Sequence, residues 1–367
     1  MSAFVLIVGE EIGDPVSGES RFAINLAKSI RNLGHDVVVC AAAATEPSTR
    51  ILESKGIRVI SLGMRTKSIM SRSRLLAGSM SLSRRLVAGL SGSQRGDWYV
   101  VFDQAVGAAR YLPRCRKAFV CNGDFALLFA TRGFYRQGRP LKEMLSLNMA
   151  RTILRNAQLA RLYDFRFANS RFTQSFMSYL YELPFEGVLY PPVDPDVFHP
   201  CPSRSSQKFA LSLMRNANEQ NIGVLEQIAA RIPMKVVGSA KIQGAESTGI
   251  VSDAELARLY GSAQFLAFPI VSEFFGYAVA ESIACATPAL VMSGAGPSEI
   301  IHGEVTAGWV ATNETDFVAK AIDLYENGFD PSVRGLALES SHRFSLDSVG
   351  RGFLSQLHRA ENRSRLA

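Results

Sequence analysis

Residues 272–291 read SEFFGYAVAESIACATPALV, and the way this stretch divides decides the fold of the chain. The apolar run just ahead of it, residues 265–271, has the length of a buried strand and is too short for a helix. After Gly276 the apolar spacing turns helical through Ala278, Ile283 and Ala284. Thr287-Pro288 ends that helix, and residues 289–292 read as a second buried strand. Strand, glycine turn, helix and strand make one unit of a parallel α/β sheet. Backbone N–H groups at such a turn, with the positive end of the helix dipole, form a natural seat for phosphate. Glu281 lies about a turn and a half into the helix, and its side chain tilts back toward the same N-terminus. A carboxylate there can take a bidentate hold on a vicinal diol such as that of ribose. Glu273, on the turn itself, can reach the next group along the same ligand.

Working outward, strands and helices alternate along the whole chain. Strands are expected at 4–8, 36–40, 57–61, 98–102, 117–121 and 165–169, with an amphipathic helix from Arg21 to about Leu33 that Gly34 ends. A proline-punctuated stretch, LYPPVDPDVFHPCPSRSSQ, follows. Beyond it come a strand at 208–214, a helix at 221–232, a strand at 234–238, a helix at 253–262 and the Glu273–Glu281 unit. The expected organisation is a Rossmann-like domain over 1–190, a linker over 191–206 and a second Rossmann-like domain over 207–345. A C-terminal helix over 346–367 is expected to pack back on the first domain. Each domain would be a doubly wound, mostly parallel sheet covered on both faces, with ligands beyond the carboxyl ends of the strands and a cleft between the two.

Composition fits this organisation. The 367 residues suit two domains better than one core, and 47% apolar with 20% charged residues is a globular balance. No apolar run approaches the ~18 residues of a membrane span. Residues 4–8 lack the basic start and cleavage pattern of a signal peptide and read as the first strand. Five cysteines, at 40, 115, 121, 201 and 285, form an odd set without a Cys-x-x-Cys pair, which suits reduced thiols in the cytoplasm and argues against a metal site.

The motif as a whole resembles the nucleotide-sugar site of retaining GT-B glycosyltransferases of the large family numbered four. That family has a Glu, then Phe-Gly, a second Glu eight positions after the first, a helix of small residues and a Thr-Pro. Further segments resemble it too: VLYPPVDPDVFHP the crossing segment, FANSRF at 167–172 the stretch before it, GIVSDAELARLYGSA at 249–263 the loop and helix over the nucleotide base, and GAGPSEII at 294–301 a glycine-rich turn. The likeness covers nearly all of 165–345 and rests mainly on Gly18 in the first half.

It implies a GT-B fold and transfer of a hexose from a nucleoside-diphosphate sugar to an acceptor hydroxyl with retention. The implied donor contacts are Glu281 on the ribose, Val251 near the base, Phe275 beside the turn, and the amides of Gly276 and Tyr277 with Arg215 on the diphosphate. Glu273 would contact the donor sugar, and Gly18 would allow close approach to the phosphates. The departing phosphate would accept the acceptor's proton, with no metal or other cofactor. Glu273 and Arg215 are the residues expected to matter most for catalysis.

Two departures bear on mechanism. The family usually has a Lys five residues after Arg215, and here that position is Gln220. A cation beside the diphosphate offsets charge that develops as the sugar leaves. Such a group is worth roughly 3 kcal/mol of barrier, and Gln220 can supply only a hydrogen bond. Where the family often has a His in the first domain, this chain has Asn122-Gly123-Asp124. Asn122 and Asp124 can meet a sugar hydroxyl of the acceptor, or the Asn-Gly can serve only as a tight turn. Asp194-Pro195-Asp196 matches a metal-binding Asp-x-Asp pattern but falls in the proline-rich linker. The opening loop lacks the dinucleotide and P-loop fingerprints.

Charge is uneven. Residues 64–171 hold twenty Lys or Arg against five Asp or Glu, an excess of +15 that leaves −8 for the remainder. An anionic acceptor, such as a lipid-linked phosphate glycan, is the expected partner of a basic first domain. Residues 68–90, SIMSRSRLLAGSMSLSRRLVAGL, read either as a basic helix on an anionic membrane surface or as a solvated helix closing the domain. The run has no interleaved aromatics, so nucleic acid is not expected. A cytoplasmic glycosyltransferase, peripheral to the membrane if the first option holds, is the leading expectation. A catalytically degenerate homologue and a secondary-metabolite glycosyltransferase with a small-molecule acceptor remain open beside it.

Overall fold

The computed structural model describes residues 2–13, 17–64, 80–90, 96–123, 141–201, 207–214, 221–271, 273–303 and 306–366, with side chains left out over 141–149 and 363–366. The chain divides into two compact units, Met1–Pro192 with Val349–Ala367, and Val193–Ser348.

The first unit is built on seven strands, β1 Ala3–Ile12, β2 Asp36–Ala44, β3 Arg58–Ser61, β4 Trp98–Phe102, β5 Arg116–Cys121, β6 Phe165–Ala168 and β7 Gly187–Val188. They lie in the order β3-β2-β1-β4-β5-β6-β7, every pair parallel. Near-continuous apolar runs such as Trp98–Phe102 suit strands covered on both faces. β1 runs past the expected Val8 to Ile12, because pairing with β2 resumes after an irregularity between Val8 and Glu11. The helix Gly18–Asn32 starts three residues before the expected Arg21, since Ser17 is an N-cap whose Oγ accepts the Ser20 amide. Phe22, Ala23, Leu26, Ala27 and Ile30 bury one stripe of that helix. Each fully buried Leu, Ile or Phe of this kind contributes about 1.5–3 kcal/mol. The last helix, Leu346–Leu366, belongs to this unit from Val349 on. Its Phe353 ring meets those of Phe4 and Phe167, and Gln356 donates to the Val188 carbonyl.

The described part of the Arg-rich segment is helical from Met80, and Leu82 and Leu86 lie in the core of the first unit. Its apolar side chains therefore close the domain. Residues 68–79 of that segment lie outside the described residues. Among the described residues, no helix is long and apolar enough to cross a membrane.

The second unit has six strands, β8 Ala210–Leu213, β9 Met234–Val237, β10 Glu246–Gly249, β11 Leu266–Phe268, β12 Ala289–Met292 and β13 Gly308–Ala311. Their order is β10-β9-β8-β11-β12-β13, again all parallel. β10 and β13 escaped the sequence reading: Glu-Ser-Thr-Gly carries no apolar signal, and Gly-Trp-Val-Ala is only four residues long. In both sheets the order reverses beside a central strand, at β1/β4 and at β8/β11. The carboxyl ends of those strands are where such sheets take ligands.

Candidate functional site

In the second unit the chain leaves β11 through Pro269, whose carbonyl accepts Asn221 Nδ2 at 2.7 Å. It then makes the turn that carries Glu273 and Phe274-Phe275-Gly276. Gly276 has φ +97°, a left-handed value, and forms the N-cap of the helix Tyr277–Ala284. A second glycine turn locks this one. The Gly296 amide donates to the Glu273 carbonyl at 3.1 Å, and a Cβ on Gly296 would stand 2.0 Å from the Phe274 oxygen. Close backbone contact is thus what the GAGP segment supplies. Glu273 and Tyr277 are half-buried, with the Tyr277 hydroxyl itself out of solvent. The Phe275 ring is committed to the core against Tyr277 and Phe344, at 5.6 Å from each, which leaves only its backbone for a ligand.

The helix Tyr277–Ala284 is short, and the first amides of any helix have no intrahelical acceptor. Small residues let it sink into the unit, burying everything from Val279 to Ala284. Glu281 is among them at 4% exposure, and its Oε2 accepts the Tyr260 hydroxyl at 3.2 Å. A carboxylate that deep requires donors, and Tyr260, itself fully buried on the helix Asp253–Ser262, provides one. The Tyr260 carbonyl accepts Thr287 Oγ1 at 2.7 Å. Arg334 gathers the neighbouring chain ends: Nη1 donates to the Ala286 carbonyl, and Nη2 to the Ala263 and Gln264 carbonyls. Sequence reading singled out neither Tyr260 nor Arg334. The Cys285 thiol that follows the helix is pushed up to about 12 by burial, aided by the Glu281 carboxylate and Cys201. Val251 is half-buried just before Ser252, which caps the helix Asp253–Ser262.

Arg215 and Gln220, expected at the diphosphate, lie outside the described residues, as does Asp124. Met214, which immediately follows β8, and Asn221, which N-caps the helix Ile222–Ala229, bracket the segment that holds Arg215 and Gln220. The Asp194-Pro195-Asp196 stretch is a tight turn in which Asp194 Oδ1 accepts the Asp196 amide at 3.0 Å.

The first unit offers a different edge. Gly18 opens the helix after β1, half-buried beside the Ser17 cap. Around it converge carboxylates from separate segments. Glu10 accepts Ser17 Oγ and, at 2.6 Å, Gln104 Nε2. Asp103 accepts the Asn122 amide at 2.7 Å. Glu19 is half-buried as a residue, but its Oε1 is enclosed and has no hydrogen-bond partner among the described residues. Burial first, then Glu10 and Asp103, push its carboxyl well above the ordinary carboxylate range. At a bend in the chain, Asn122 precedes Gly123 at φ +105°. Its Nδ2 is buried and unpartnered among the described residues. No spacing rule would have brought Glu10, Glu19 and Asp103 together.

Residues 218–327 match the family described as glycosyl transferases group 1. An uncharacterized glycosyltransferase of Methanocaldococcus jannaschii is 33% identical over 106 residues, a stretch that is 28% of this chain and 27% of that relative. Solved structures resemble the whole chain at low identity. Sucrose-phosphate synthase from Thermosynechococcus elongatus has TM-score 0.74 and 12% identity, covering 99% of this chain and 100% of that one. HepE from Anabaena, solved with UDP and glucose, has TM-score 0.70 and 14% identity, covering 98% and 100%. A glycosyltransferase from Rickettsia africae has TM-score 0.66 and 15% identity, covering 98% of each chain. The fold is GT-B, two Rossmann-like α/β domains.

Proposed function

We propose that the protein is a retaining glycosyltransferase that moves a hexose from a nucleoside-diphosphate sugar to an acceptor hydroxyl. The observation that carries this is Glu281, a buried carboxylate in a short helix that begins at Gly276 just beyond β11. It falls inside the stretch that matches the glycosyl transferases group 1 family. Glu281 would hold the ribose, and the Gly276 and Tyr277 amides with Arg215 the diphosphate. Val251 would lie near the base and Glu273 at the donor sugar. The bond from the anomeric carbon to the diphosphate breaks, a bond to the acceptor oxygen forms, and the acceptor's proton passes to the departing diphosphate. HepE structures that hold UDP and UDP-glucose lend support to a nucleotide-sugar donor.

For the acceptor, the carboxyl edge of the first sheet offers Glu10, Asp103 and Asn122, groups suited to sugar hydroxyls. The phosphate of a lipid-linked glycan would instead need cations from the basic stretch 64–171. Gln220 favours a second reading, a GT-B homologue that binds its ligand and turns over little.

The test is a thermal-shift screen against UDP, GDP, ADP, dTDP and CMP with their common sugars, followed by transfer and hydrolysis assays. A shift lost in Glu281→Ala, with turnover, supports the transferase. A shift without turnover supports the second reading. No shift at millimolar ligand overturns both.

A further inference from the structure

We propose that the first unit docks on an anionic lipid surface through the outer faces of two neighbouring helices, Leu141–Ala160 and Arg171–Tyr181. The inference concerns that unit alone and does not depend on the sugar-transfer reading. Both helices cover one core: Ala157 and Ala160 of the first, with Met177 and Leu180 of the second, pack on a single cluster. Their opposite faces therefore point away from it. Arg161 Nη2 ties the two C-terminal ends together by donating to the Glu182 carbonyl at 3.2 Å. On the first helix and its closing turn the exposed positions are Arg151, Leu154, Gln158 and Leu162, three or four apart, with Arg161 beside the last. On the second they are Arg171, Ser175 and Tyr179, four apart.

By position these are the solvent faces, yet Tyr179 is 86% exposed, Leu154 65% and Leu162 43%. The charge among them has one sign: no Asp or Glu occurs between Arg151 and Leu162 or between Arg171 and Tyr181. The Arg-rich helix from Met80 differs, because it buries its Leu82 and Leu86 in the core. Leucine and tyrosine side chains left in water gain by entering the boundary between headgroups and acyl chains, where a tyrosine ring keeps its hydroxyl wet. An arginine beside them lays its stem along the apolar layer and keeps its guanidinium among the phosphates. Each such cation raises partitioning to an anionic surface about fivefold. Leu154 and Leu162 stand about 12 Å apart along the helix, with Gln158 between them. They do not make the contiguous central cluster that anchors a protein interface. A lipid surface needs none, since it accepts separate apolar tips with cations among them.

The experiment floats the full chain with vesicles of phosphatidylcholine alone and of equal parts phosphatidylcholine and phosphatidylglycerol. Partitioning to the anionic vesicles is expected to exceed that to the neutral ones by about tenfold or more, and to fall as salt is added. Leu154→Ser/Tyr179→Ser and Arg151→Gln/Arg161→Gln should each lose about tenfold. Ile51→Ser/Arg50→Gln makes the same kind of change on the helix Glu46–Ser54, where Ile51 is 55% exposed, and should lose less than about twofold. In Tyr179→Trp the emission should move to shorter wavelength on anionic vesicles, and in Ile51→Trp it should not.

No binding by the unaltered protein, or equal binding to neutral and anionic vesicles, overturns the proposal. So does a loss in Ile51→Ser/Arg50→Gln as large as in the other two variants, which would make the attraction a property of the whole surface. Light scattering without vesicles tests a second copy of the chain as the occupant. A dimer abolished by Leu154→Ser/Tyr179→Ser would assign the face to self-association and overturn the proposal. Melting temperature and nucleotide affinity should stay unchanged in every variant, since the altered side chains are exposed. A failed donor site would show in those nucleotide affinities, and a failed docking face only in the vesicles. Should a serine or glutamine variant lose stability, the emission shift in Tyr179→Trp decides alone.

Discussion

The two units share one architecture, a parallel sheet whose strand order reverses beside a central strand, yet their carboxyl edges carry opposite chemistry. At β11 of the second unit a glycine turn feeds a helix N-terminus, with one carboxylate held by Tyr260 behind it. At β1 and β4 of the first, Glu10, Glu19 and Asp103 crowd together, and Glu19 is driven toward its neutral form. The second edge sets a helix N-terminus before a buried carboxylate, whereas the first gathers three carboxylates beside the helix that Gly18 opens. The basic excess over 64–171 includes Arg114, Arg116, Lys117 and Arg161, which lie at the amino ends of β5 and β6. Arg116 is paired there with Glu361.

The largest expected effect would break this contrast outright. Glu281→Ala should cost tenfold or more in nucleoside-diphosphate affinity by calorimetry, whereas Glu19→Gln should leave that affinity within about twofold. The reverse outcome would move the nucleotide to the first unit. Gly296→Ala should come next. Its Cβ would collide with the Phe274 carbonyl, so the turn must shift, at a cost of about 1–3 kcal/mol. The checks are a lower melting temperature and weaker nucleotide binding in the same variant.

Glu19 sharpens the first-unit side. Its carboxyl is raised in the folded state, so the folded protein is favoured while that group is protonated. That advantage is complete below the ordinary value of 4.5 and is lost as pH climbs through the folded value. Glu19→Gln removes the dependence, so its melting temperature should exceed that of the unaltered protein by a few degrees at pH 8, with a smaller gap at pH 4.5. The smallest effect concerns thiols. Cys40 and Cys285 are pushed up to about 12 by burial, so at pH 8 roughly one in 10⁴ is thiolate. Mass spectrometry after brief alkylation should find Cys115, which is only half-buried, modified ahead of both.

The second-unit turn was legible because its signals are local. A glycine punctuates strand and helix, Thr-Pro ends the helix, and both carboxylates lie within nine residues of each other. Tyr260 was not legible because it meets Glu281 across 21 residues and two elements. The acidic edge of the first unit is harder still, since Glu10 and Gln104 touch across 94 residues of chain. Periodicity reports which face of an element is buried, and it says nothing of which polar groups from distant elements converge there. Strands with strong apolar runs were readable, while β7, at two residues, and β10, without an apolar side chain, gave no periodic signal.

The path of the backbone has a practical corollary for anyone wishing to dissect this protein. The second unit is one unbroken span, 193–348, and its two ends lie side by side: the Val193 amide bonds the Phe344 carbonyl at 2.8 Å, and Val193 bridges Ser345. The first unit is interrupted by that span and depends on Phe353 to seat between Phe4 and Phe167. In the manner of a cassette, residues 193–348 form one continuous insert in the chain of the first unit, which resumes at Val349. Truncation at Pro192 would instead strip Phe353 from its contacts with the Phe4 and Phe167 rings.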